Sequence, residues 1–131
     1  MITLEHATNL IAKGEQEASN QGLKLAFAVV DDGGHLVALH RMDGAPWIAP
    51  EVAIGKAWTA AAYQAPSAAQ GDKMKELHAF SASISAATNG RFTPQIGGLP
   101  ITENDTVIGA MGASGGTGQQ DEDVVRAALS G

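Results

Sequence analysis

Residues 24–42, KLAFAVVDDGGHLVALHRM, place two apolar runs on either side of Asp32-Gly33-Gly34, and their reading decides the fold. Leu25, Phe27 and Val29 alternate with Ala26, Ala28 and Val30 in the first run. A strand sends successive side chains to opposite faces, so a run apolar at every position predicts a strand covered on both sides. Asp-Gly-Gly supplies turn chemistry, and His35 to Met42 then forms the return strand of a β-hairpin. The pattern repeats near the other end. There Leu99–Thr102 and Thr106–Ala113 flank the polar turn Glu103-Asn104-Asp105, which predicts a second hairpin.

Helices fill the spaces around these hairpins. Leu4, Ala7, Leu10, Ile11 and Ala18 recur at helical spacing and predict an amphipathic helix ending near Gly22, a residue suited to a left-handed cap. Pro50 and Glu51 suit the first turn of a helix that runs to about Tyr63. Pro66 ends that segment, and the Ser67/Gln70 spacing predicts a capping box opening another helix toward Leu77. Ser81 to Thr88 reads as helix or loop, stopped by Asn89-Gly90. Thr117 and Gln120 give a further capping box, with Asp121, Glu122 and Asp123 in the first turn of a last helix. Strands arriving as hairpins with helices between predict an α+β layer fold built on an antiparallel sheet.

Composition narrows the function. A chain of 131 residues is expected to form a single domain, residues 1–131. A net charge of −6 with eight scattered basic residues argues against nucleic-acid binding, which rewards clustered Lys and Arg. The absence of cysteine excludes disulfides, thiolate nucleophiles and covalent c-type haem attachment. The N-terminal segment has neither the basic start nor the apolar stretch of a secretory signal, and no apolar run reaches membrane-spanning length, so a cytoplasmic location is expected. With two Trp, one Tyr and three Phe, the core is built from small side chains, and self-association would bury further apolar surface.

Four blocks, VVDDGGHLVALHRMDGA, IGKAWTAAAY, GRFTPQIGGLP and IGAMGASGGTGQQDEDVVRAAL, stand in this order along the chain. In them the sequence resembles the GlcG/HbpS family and is similar to the C-terminal domain of PduO-type corrinoid adenosyltransferases. The likeness runs from about Leu4 to Leu129. It implies a profilin-like or roadblock-like fold with a central antiparallel sheet of about five strands, the fifth falling on Arg91-Phe92-Thr93. It also implies a homo-oligomer and the capacity to bind haem.

Two glycine-rich corners stand out as candidate ligand sites. Gly112-Ala113-Ser114-Gly115-Gly116-Thr117-Gly118 joins a strand to a helix. Its glycines let backbone N–H groups approach an anion such as a carboxylate, or they simply make a tight turn capped by Thr117. Gly97 and Gly98 either line the same cavity or mark a close backbone approach. Lys56, in the family's KAWTA block, lies on an otherwise apolar or small-residue helix face. It is expected to point into a cleft as a charge anchor or general base, or else to snorkel to solvent. Arg41 is a second cation for an acidic ligand, or a partner of Asp43 or Asp31.

Haem needs an axial ligand, an apolar slot and cations for its propionates. The candidates are His6, His35, His40 and His78 with Met42, Met74 and Met111. Met74 and His78 share a face only if one helix spans both. No zinc motif is present, and the Gly-x-Ser-x-Gly match at Ser114 lacks the parallel-strand context of a nucleophile elbow. Three readings follow. The first is a ligand-binding protein with Arg41, Lys56, Gly97, Gly98, Ser114, Gly115 and Gly116 around an acidic ligand, haem being the candidate cofactor. The second is a small catabolic enzyme that acts on a carboxylated or carbonyl compound through Lys56. The third is a structural or regulatory oligomer whose glycines serve the fold alone.

Overall fold

The computed structural model describes residues 1–131. Helix α1 (Leu4–Asn20) leads into the hairpin β1 (Ala26–Asp31) and β2 (Leu36–Arg41). Three helices follow, α2 (Ala49–Tyr63), α3 (Ser67–Lys73) and α4 (His78–Ala87). The hairpin β3 (Gly98–Glu103) and β4 (Thr106–Ser114) and helix α5 (Gly118–Ser130) complete the chain. The strands form one antiparallel sheet in the order β2-β1-β4-β3, so each hairpin supplies one central and one edge strand.

The alternation in β1 sorts its side chains into two cores. Phe27 and Val29 join Met111, Ala113 and the buried faces of α1 and α5. Ala26, Ala28 and Val30 instead meet Ala49, Ala53, Ala57 and Ala60 of α2. The second core is nearly all alanine, and such short side chains demand close approach of helix to sheet. Gly98 and Gly112 are cross-strand partners that provide it. A Cβ on Gly112 would lie 2.8 Å from the Ala57 backbone nitrogen and would also strike the Ala53 carbonyl, while one on Gly98 would strike the Lys56 carbonyl.

The sheet has four strands, not the five implied by the resemblance. Arg91-Phe92-Thr93 forms no strand because its backbone groups turn to helices. The Thr93 N–H donates to Thr59 Oγ1 of α2 at 2.8 Å, the Phe92 N–H to Thr88 Oγ1 at 3.0 Å, and the Phe92 carbonyl accepts from Ser85 Oγ. The Ser67/Gln70 capping box is also absent. Pro66 occupies the N-cap position, and Ser67 Oγ reaches across to accept the Gly98 N–H at 2.9 Å. That helix stops at Lys73, so Met74 and His78 lie on no common helix. The Thr117/Gln120 box is formed, with both reciprocal bonds present.

Two surfaces stand out. In β3 the Ala113 N–H donates to the Gly97 carbonyl, so the N–H direction of Gly98 and Pro100 faces away from β4. Pro100 therefore leaves a missing donor on the outer edge of the sheet. Helix α4 contains no buried residue and packs against no other helix or strand. Phe80, half exposed, sits on it, beside the equally exposed Leu77.

Candidate functional site

The two glycine corners meet. Gly97 precedes β3 and Ser114 ends β4, and α2 passes over both. Lys56, near the middle of α2, is only 4% exposed. Its Nζ donates to the Ala113 carbonyl and to Asp121 Oδ2, each at 3.0 Å. Gly97 makes room for this, since a Cβ there would lie 2.7 Å from Nζ. Its φ of 139° is also one that L side chains seldom adopt.

Asp121 stands in the first turn of α5, on the sheet face opposite α2, so the ion pair joins the two layers around the end of β3 and β4. Its second oxygen, Oδ1, accepts the Gly116 N–H at 2.9 Å. Burial pushes the Asp121 carboxyl above the usual carboxylate range, and the neighbouring ammonium and the Gly116 N–H offset only part of that rise. The sequence places Asp121 only in the first turn of the last helix. Its partner lies 65 positions away, and no periodicity signals such a pairing.

A cleft of about 330 Å³ opens beside the pair, lined by Val52, Lys56, Gln95, Ile96, Ser114, Gly116, Gly118 and Asp121. Of the residues singled out from sequence, Lys56, Ser114 and Gly116 line it, and Gly97 lies against the Lys56 ammonium. Gly98 is buried beneath α2. Gly115 makes the turn against Lys24 and Leu25, with a φ of 131°. Arg41 is exposed on the edge strand β2, outside the cleft, and forms no ion pair with Asp43 or Asp31. Asp31 instead accepts the Gly33 and His35 N–H groups through Oδ1, at 2.9 and 3.0 Å. An acidic ligand entering the cleft would meet a cation already engaged by Asp121.

The cleft lining contains no His, Met, Tyr or Cys, so it offers haem no axial ligand. Met111 is sealed in the core, and Met42 Sδ accepts the Leu25 N–H. His35 leans on Asp31 and His40 on Glu15, both at 3.3 Å. His78 is exposed at the start of α4. His6 differs from all of these. It lines a small groove of about 130 Å³ with Leu10, Pro100, Ile101, Thr102 and Leu129. Pro100, Thr102 and Leu129 also border an adjoining groove of about 330 Å³ that contains Arg126, whose guanidinium holds Glu122 Oε1 at 2.6 Å. A histidine, apolar walls and a cation along one surface are the parts that haem requires.

The family described as haem degrading protein HbpS-like matches residues 2–130. Protein GlcG of Escherichia coli K12 is 34% identical over 114 residues, covering 87% of this chain and 81% of GlcG. The crystal structure of Klebsiella pneumoniae protein ORFY superposes with a TM-score of 0.86 at 31% identity, covering 98% of this chain and 88% of that one. The PduOC:haem complex superposes with a TM-score of 0.84 at 25% identity, covering 94% and 88%.

Proposed function

This chain belongs to the HbpS-like family, and from that premise we propose that it is a haem-binding protein whose haem lies along the groove between α1, β3 and α5. The observation that carries the reading is the single surface on which His6, the apolar walls Leu10, Ile101 and Leu129, and Arg126 occur together. In this reading His6 would hold the iron. Pro100 and Leu129 would shield the bound group from water, and Arg126, released in part from Glu122, would meet its carboxylates. Bound haem would supply a redox-active iron.

Titration with hemin tests this. A saturable Soret shift is expected, and His6→Ala should weaken binding at least about tenfold, or 1.4 kcal/mol, and move the Soret band. Unsaturable uptake, or an unchanged band in His6→Ala, would overturn the proposal.

A homo-oligomer fits the same reading. Its support is α4, an uncharged helix without a buried residue, together with Trp47, which is 79% exposed. Isolated apolar side chains on a surface are ordinary, but a helix that no other helix or strand packs against is a candidate interaction face.

A further inference from the structure

Lys56 and Asp121 have no role in the haem reading, yet a buried lysine opening on a cleft is chemically unusual. The other lysines, at positions 13, 24, 73 and 75, are all exposed. Lysine burial is costly unless the charge is met, and here Asp121 and the Ala113 carbonyl meet it. An ammonium carries three protons, so two are engaged. The side chain itself forms part of the cleft wall.

We propose that Lys56 forms a Schiff base with a small oxygen-substituted aldehyde or ketone bound in this cleft, with Asp121 as proton carrier and counter-ion. The chemistry balances without an oxidant. The ammonium passes one proton to the Asp121 carboxylate 3.0 Å away, and the free amine adds to the carbonyl carbon to give a carbinolamine. The carbinolamine hydroxyl takes the proton back from Asp121 and leaves as water. A protonated imine remains. Ammonium plus carbonyl thus becomes iminium plus water, and the single positive charge stays where Asp121 already balances it. The iminium keeps one N–H, which Asp121 Oδ2 can accept.

Two further features suit this step. Burial holds the Asp121 carboxyl readier to accept a proton than an exposed aspartate. The lining also favours a polar carbonyl compound, with the Ser114 hydroxyl, the Gln95 amide and the Gly118 backbone at the start of α5 beside only Val52 and Ile96 as apolar walls. Lys56 and Asp121 are the catalytic residues of this proposal. None of the haem-groove residues takes part, so either reading can fail without the other.

Reductive trapping tests it. The full chain is incubated with acetoin and cyanoborohydride, digested, and each lysine's uptake of one reduced acetoin unit is read by mass spectrometry. Labelling of Lys56 is expected to exceed that of Lys13, Lys24, Lys73 and Lys75 at least about tenfold, as proximity of a held carbonyl requires. Asp121→Asn should cut the Lys56 label several-fold while leaving the surface lysines unchanged. Because the wild-type protein provides the main readout, a variant that fails to fold leaves the test intact. Labelling of Lys56 no greater than that of the surface lysines would overturn the proposal.

Discussion

Lys56 and Asp121 face each other from opposite sides of the sheet, and each is buried only because the other is there. Removing one partner leaves an uncompensated charge in the interior, whereas removing both leaves an apolar site. Lys56→Met and Asp121→Leu should therefore each cost about 3–5 kcal/mol in denaturant unfolding, while the double variant should fall within about 1 kcal/mol of the wild type. Additive losses in the double variant would refute this coupling. The same pair sets a pH dependence. The Asp121 carboxyl is raised above 3.8 in the folded chain by burial, so the folded state holds its proton more tightly than the unfolded one. Its contribution to stability accordingly falls as pH rises from 3.8 through the folded value, and is level above that. Asp121→Asn should abolish this fall. The pairing was not visible in the sequence, because residues 56 and 121 are joined only by the closure of the whole sheet. The lysine alone was legible, as a cation on a helix face of small side chains.

The close seat of α2 on the β3–β4 pair is set by residues that have no side chain. Gly112→Ala would push a methyl group into the α2 backbone at Ala53 and Ala57, which cannot move without separating the alanine core. A loss of about 1–3 kcal/mol is expected from chemical denaturation. Gly116→Ala should cost less, because its new methyl would meet the side chains of Gln120 and Asp121 rather than backbone. Equal losses would argue against close seating as the reason for glycine. Elements whose signals are local were readable in the sequence. The alternation of Leu25 to Val30, the α1 stripe of Ala7, Leu10, Ile11 and Ala18 and the Thr117/Gln120 box all depend on neighbours within a few positions, whereas Leu4, expected on that stripe, is 63% exposed. Ser67 was misread because its hydroxyl serves Gly98, 31 positions away, rather than its own helix. The strand that the resemblance implies at Arg91–Thr93 does not form because Thr59 and Thr88 take the bonds a ladder would need. The His6 groove was likewise invisible, since α1, β3 and α5 meet only in the folded chain.

At the scale of the whole molecule, no other helix or strand packs against α4, and Phe80 on it is half exposed. Sedimentation equilibrium should therefore show association at micromolar concentration, and Phe80→Asp should raise the dissociation constant at least about tenfold. A wild-type protein that sediments as a single chain would remove α4 as an interface. Helix α4 is not the only exposed face, because the sheet also ends in two open strands of unequal character. An incoming strand needs a continuous row of donors and acceptors, and Pro100 leaves a gap in that row on β3, whereas β2 has no proline. Strand-to-strand joining is thus available on one side alone. A molecule with a single sticky side can couple to one twin and then has no place to add a third. Growth into a cross-β filament therefore stops at the pair, because β3 offers no donor at Pro100 and its Gly98 N–H is already held by Ser67.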